Sequence, residues 1–349
     1  MVLMQGGGRP GSTGRAAGGV GMQAAEPNVP ASLGQGLAHL PIGIFATVMG
    51  MAGLQLATAR MAHGAPALAP LAALLLGLTL FLYLALLALY GLKLARSPEA
   101  VRAEWRHPVR IAFFPSVTVG LLLIATALVP YAPRLAEPLW LAGALAHLLV
   151  MLAVVTTWIA GTQFEPPHLN PAWFIPAVGN VLVPIAGVAL GWVELSWFFL
   201  GVGLLFWLVL LTIVFNRLVF HHPLPARLLP TLAILVAPPA VSFLAWMRLV
   251  GEPGAFGRLL FAAAILFALV VAVQAPRLVR LPWALSFWAW SFPLAALTIA
   301  TSVAGETLHQ PLLVALSWAL YALLLLVIGA LAWRTAKGAL AGELLRPEG

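Results

Sequence analysis

The sequence predicts an all-α integral membrane protein of ten transmembrane helices, five inner and five outer, and three observations support this. First, the 349-residue chain is 62% hydrophobic and only 8% charged, with a mean hydropathy of +1.02. A soluble domain carries about 45–50% apolar and about 25% charged residues, so 28 charged side chains could not solubilise this much apolar surface. Second, apolar stretches alternate with short polar breaks along most of the chain. Each is roughly 20 residues long, enough to cross ~30 Å of hydrocarbon as a helix. Third, prolines and polar residues inside these stretches fall in one alternating class.

The stretches lie at 39–60, 67–94, 109–129, 138–160, 171–191, 195–217, 228–249, 256–275, 282–304 and 311–333. Residues 1–38, rich in Gly, Ala and Pro, lack the apolar run of a signal peptide. They read as a disordered cytoplasmic tail, or in part as sequence upstream of a misassigned start. Residues 39–336 form the membrane domain and 337–349 a cytoplasmic carboxyl tail.

Charge sets the topology. Fourteen of the 18 Lys and Arg lie on the side holding both termini, five of them (Lys93, Arg96, Arg102, Arg106, Arg110) between segments two and three. Only Arg60, Arg134, Arg248 and Arg258 lie on the other. Positive charge marks the cytoplasmic side, so both termini are expected in the cytoplasm and the protein in the cell inner membrane. The net charge of +8 is read as this topology and not as a nucleic-acid surface.

Prolines beyond the first turn are expected only in odd-numbered segments: Pro115, Pro176, Pro184, Pro238, Pro239 and Pro293. Even-numbered segments keep theirs at the ends (Pro70, Pro138, Pro276, Pro311) and are otherwise Leu- and Ala-rich. An interior proline frees a carbonyl, tolerated in a membrane only where protein or water satisfies it. The odd segments also hold Gly43, Thr47, Gly50, Ser116, Thr118, Asn180, Ser242, Ser291 and Thr298. Five kinked, partly polar inner helices inside five straight, lipid-facing ones is the arrangement this predicts.

Composition excludes much chemistry. The chain has no cysteine and all ten acids are Glu. Thiolate sites, Asp-dyad proteolysis and Asp-rich magnesium sites are therefore absent. There is no GxxxxGK[ST], no HExxH, and no pattern asking for a metal or cofactor. No segment centre holds Glu, Lys or Arg, each of which would cost about 2.5–3.5 kcal/mol there. Coupled carriers commonly keep such a carboxylate, so weak anion binding by kinked-helix N–H groups and hydroxyl dipoles is the expected chemistry.

His147, alone deep in an even segment, reads as an interior histidine or a contact between protomers. His221 and His222 read as interfacial charge. Glu99 and Glu104 read as part of a solvated network in the 2–3 loop. Trp140, Trp173, Trp192, Trp197 and Trp283, near segment ends, read as an interfacial aromatic belt.

Five stretches resemble one family in order. VRAEWRHPVRIAFFPSV (101–117) is similar to the cytoplasmic loop and third-helix start of the tellurite-resistance/dicarboxylate transporters, which include the bacterial TehA proteins and the plant slow-type (SLAC) anion channels. LPIGIFATVMGMAGLQLA (40–57), NPAWFIPAVGN (170–180), LPARLLPTLAILVAPPAVSFLAW (224–246) and FWAWSFPLAALTIAT (287–301) resemble its first, fifth, seventh and ninth helices.

The resemblance implies five helical hairpins about a quasi-fivefold axis, odd-numbered helices lining a central pore, and a homotrimer in membrane lipid. It also implies a pore-plugging phenylalanine, whose position by the WAWSFP match is Phe292. Pro293 beside it resembles the plant members more than the bacterial ones, which often have Gly. Phe45, Phe114 and Phe174 are candidates for further aromatic layers, with core packing the alternative. Thr47, Pro115, Ser116, Pro176, Asn180, Pro238, Ser242 and Thr298 complete the pore-lining candidates. The expected function is a passive, gated channel for small inorganic anions such as chloride or nitrate. The alternative is a carrier exporting tellurite, sulfite or four-carbon dicarboxylates.

Overall fold

A computed structural model describes residues 33–342. Among these residues there is no strand, and nine helical segments are long and apolar enough to cross a membrane. The short α1 (Leu33–Ala38) precedes them and packs on α3 (Ala69–Arg96), so the last six residues of the expected disordered tail are helical. Residues 1–32 and 343–349 of the expected tails lie outside the described residues.

Odd and even segments are built differently. The first segment opens as a 3-10 helix, Ile42–Phe45, and continues as α2 (Ala46–Met61). After α3 comes the amphipathic α4 (Pro98–Arg106). The third segment then repeats the first, with 3-10 Arg110–Phe113 leading into α5 (Ser116–Leu128). Helix α6 (Pro133–Ala160) is followed by the fifth segment, Pro171–Gly187, which alternates 3-10 turns with α7 (Phe174–Val178) and α8 (Val183–Gly187). After α9 (Val193–Phe220), 3-10 Leu229–Val236 leads into α10 (Ala237–Val250). Helix α11 (Gly254–Leu278) precedes 3-10 Leu285–Trp290 and α12 (Ser291–Thr307), and α13 (Pro311–Leu340) ends the fold.

The proline expectation is corrected by this pattern. Pro115 caps α5, Pro184 and Pro238 fall in the first two positions of their helices, and Pro239 and Pro293 occupy third positions. A first-turn proline gives up an N–H that needs no intrahelical partner, and its fixed φ suits a helix start. The odd segments therefore carry these prolines where 3-10 winding passes into α, rather than in the middle of an α-helix. Conversely, Pro138 and Pro276 lie inside α6 and α11. Helix α6 begins at Pro133, five residues before the expected start, which leaves Pro138 in its second turn. The fifth segment is also not the continuous 171–191 helix expected, because Pro176, Gly179 and Pro184 interrupt it. The last helix runs to Leu340, beyond the expected boundary at 336.

Burial divides the two classes. In the long odd segments 61–72% of the most apolar window is buried, against 22–33% in the even ones. The odd segments touch in cyclic order: α2 on α5, α5 on α8, α8 on α10, α10 on α12, and α12 back on α2. Each even helix packs on its preceding odd segment, as α3 does on α2 and α13 on α12. Leu- and Ala-rich sequences propagate α-helix well and leave Phe81, Leu84 and Leu326 facing outward.

A buried ionic network ties α3, α4 and the start of the first segment together. Lys93 Nζ donates to Glu104 Oε2 at 2.7 Å and to the Leu40 carbonyl at 2.8 Å. Tyr90 donates to the same carboxylate oxygen at 2.7 Å, and the Ile42 amide to Oε1 at 3.1 Å. Lys93 and Glu104 are 1% and 3% exposed, so Glu104 is not the solvated charge expected, whereas Glu99 pairs with Arg102 in the open. Two buried charges persist because each has further hydrogen bonds beyond the pair.

Candidate functional site

The first, third, fifth, seventh and ninth segments enclose a cavity of about 690 Å³. It reaches their amino-terminal ends at Pro41, His107, Pro225 and Trp283, and the deepest residues that the ninth segment gives to its wall are Phe292 and Pro293. The Phe292 backbone is held at close range by the first segment. A Cβ on Gly53 would stand 2.9 Å from the Ala295 Cβ, 3.4 Å from Phe292 Cδ2 and 3.6 Å from its Cα. One turn earlier a Cβ on Gly50 would collide with Ser291 and Trp288. Two glycines one turn apart thus let α2 and the ninth segment meet backbone to side chain.

Of the sequence candidates, Phe174, Pro238, Phe292 and Pro293 border the cavity. The other nine are not in its wall. Phe45 is fully buried and turns outward, its ring edge-on to Tyr83 and Tyr90 at 6.3 and 6.0 Å. Phe114 packs edge-on to Trp105 at 4.9 Å. Pro115 and Pro176 serve the helix junctions. Asn180 donates to the Ala177 carbonyl at 2.7 Å and toward Met151 Sδ at 3.3 Å, and Ser242 is buried in α10.

The hydroxyls behave differently from the expectation that their dipoles serve a lumen. Thr47 donates to Ile44 O, Ser116 to Phe113 O and Thr298 to Leu294 O. Each of these three protons is turned back onto its own helix, the usual choice of Ser and Thr in apolar surroundings, whereas the buried Ser242 Oγ and the cavity-lining Ser286 Oγ have no hydrogen-bond partner.

His147 is a fully buried interior histidine. Its Nδ1 lies 2.8 Å from Thr118 Oγ1, and the ring packs so closely on Gly179 that a Cβ there would stand 2.5 Å from Nε2. The expected aromatic belt loses Trp140 to the interior. Trp140 is buried and donates to the Val183 carbonyl at 2.9 Å, and Trp283 lines the cavity. His222 offers its carbonyl to the Arg217 guanidinium.

Sequence reasoning missed the charged part of the wall. In the sequence Arg110 and Arg227 read only as topology signals, yet both line the cavity beside His107. The ring orientation of His107 is set locally, because its Nδ1 accepts from the amides of Val109 and Arg110 at 3.1 and 3.3 Å. The available signal was that both arginines stand at the amino-terminal ends of proline-containing segments.

Long apolar helices packed around a central cavity define a multi-pass membrane protein of the channel and transporter class. The chain belongs to the SLAC1 family of voltage-dependent anion channels, whose family model matches residues 39–336. It is 28% identical over 326 residues to the uncharacterized transporter MJ0762 of Methanocaldococcus jannaschii, covering 86% of this chain and 95% of that one. Identity to the S-type anion channel SLAH3 of Arabidopsis thaliana is 30% over 241 residues, 67% of this chain and 38% of the plant protein. The tellurite resistance protein TehA homolog of Haemophilus influenzae is 27% identical, over 74% of this chain and 79% of its own. These relatives carry the names of channels, transporters and a resistance protein, not of enzymes.

Proposed function

We propose that this protein is a passive, gated pathway for small monovalent anions such as chloride and nitrate. In this reading the cavity is the wide mouth of the pore and Phe292 its plug. The single observation that carries it is that Phe292, with Pro293 the furthest residue that the ninth segment contributes, stands in the wall of a cavity enclosed by all five odd segments. A phenyl ring there blocks by bulk and by dewetting, and a change of rotamer opens the path.

The same reading makes the chain a bundle of five hairpins with ten crossings. The fifth segment has ten α and seven 3-10 residues. At 1.5 and 2.0 Å per residue it spans roughly 29 Å, close to the hydrocarbon thickness. Both termini lie in the cytoplasm, on the arginine-rich side, and three copies assemble in the inner membrane.

The test is chloride efflux from liposomes holding the Phe292→Ala protein, with and without valinomycin. A channel carries net charge, so efflux should rise strongly when potassium can follow. Efflux that saturates and ignores valinomycin would instead indicate an electroneutral carrier of the tellurite- or dicarboxylate-exporting kind.

A further inference from the structure

The pore reading leaves open what draws an anion into an apolar protein. The hydroxyls of Thr47, Ser116 and Thr298 do not, since their protons are bonded back to carbonyls, and a neutral hydroxyl such as the unpartnered Ser286 in the wall carries no net charge to draw an anion from a distance. The described part of the cavity wall holds two guanidinium groups, Arg110 and Arg227, and no carboxylate. The nearby Glu104 is already neutralised by Lys93 within its buried network. A guanidinium stays charged whatever else it bonds. The wall also collects the amino-terminal ends of four odd segments, around Pro41, His107, Pro225 and Trp283, each contributing up to about half a positive charge. His107 adds a ring whose Nδ1 is occupied as an acceptor, which leaves its proton on Nε2.

We propose that the wide mouth is an anion-loading site, in which Arg110 and Arg227 concentrate small inorganic anions ahead of Phe292. The inference rests on the anion reading of the same cavity and adds where and by what groups the anion is gathered. Charge of one sign in a cleft with low-dielectric walls focuses the field and raises the local counter-ion concentration.

Trp283 lines the same mouth and provides a probe that needs no conduction. Quenching of its fluorescence by iodide, taken as the part lost in Trp283→Phe, is compared between the wild-type protein and Arg110→Gln/Arg227→Gln in nanodiscs. Acrylamide serves as the neutral quencher.

At about 0.01 M ionic strength the iodide constant should fall roughly three- to tenfold in the double variant, with acrylamide unchanged. At about 1 M salt the difference should vanish, because the screening length drops to ~3 Å. Arg110→Lys/Arg227→Lys should keep the wild-type value. If the Gln pair does not fold, Arg227→Gln alone, in an exposed connection, should show part of the fall. Equal iodide constants in wild type and Gln variants at low salt would overturn the proposal. A silent Phe292→Ala channel with a normal iodide effect would instead count against the pore reading and leave the site standing.

Discussion

Gly53 and Phe292 fix each other's place in the fold. The absent side chain of Gly53 leaves 3.4 Å between its notional Cβ and the Phe292 ring, and only 2.9 Å to the Ala295 Cβ one turn on. The phenyl group of Phe292, which borders the cavity, is thus seated by a glycine on the neighbouring inner helix.

Gly53→Ala should therefore destabilise the protein by about 1–3 kcal/mol, the usual cost of overpacking a close contact. The Ala295 contact is the tighter of the two, so adding Ala295→Gly should recover more stability than adding Phe292→Ala. Apparent melting temperatures of the single and double variants in detergent micelles measure this. Greater recovery with Phe292→Ala would mean that the ring, and not the backbone approach, sets the spacing.

Glu104→Gln should be severe. It leaves Lys93 charged and 1% exposed without its carboxylate, and breaking a buried pair from one side costs about 3–5 kcal/mol. Lys93→Met/Glu104→Gln should be milder than Glu104→Gln alone, because no buried charge remains. Tyr90→Phe should cost about 1.5–3 kcal/mol, the value of a hydrogen bond to a charged group. Chemical unfolding of the three variants beside wild type checks the order, and a Glu104→Gln protein as stable as wild type would refute the network's role.

The pair between Arg60 and Glu306 sets the contrast. Arg60 also donates to Ser302 Oγ at 3.1 Å, but the Glu306 side chain is 55% exposed. Exposed pairs contribute about 0–1 kcal/mol, so Glu306→Gln should leave the melting temperature nearly unchanged while Glu104→Gln lowers it steeply. A large loss at Glu306 would show that this end of α12 is held more tightly than its exposure implies.

The sequence made the division into inner and outer helices legible because two kinds of residue report it independently. Leu and Ala runs mark α3, α6, α9, α11 and α13, while Pro, Gly and hydroxyl residues mark the segments between them. What the prolines mean was not legible. Pro115, Pro238 and Pro293 signal a 3-10 to α transition, and a period count cannot separate that from a kinked α-helix. Burial of Glu104 was hidden because its partners, Lys93, Tyr90 and the backbone of Ile42, come together only when α4 folds back on α3. The outward turn of Phe45 toward Tyr83 and Tyr90, and the place of Arg110 and Arg227 in the cavity wall, depend on side-chain direction at or just before segment starts, where helical periodicity has not been established. The motif alone marks Phe292 in the sequence; its place in the cavity wall comes from the packing of five segments.

The most direct test of the plug is the current through Phe292→Ala beside wild type in a planar bilayer under a potassium chloride gradient. The plug reading predicts a large mutant current that reverses near the chloride equilibrium potential, with little current through the wild type. A folded, inserted mutant that stays silent, or one whose current reverses near the potassium potential, would contradict it.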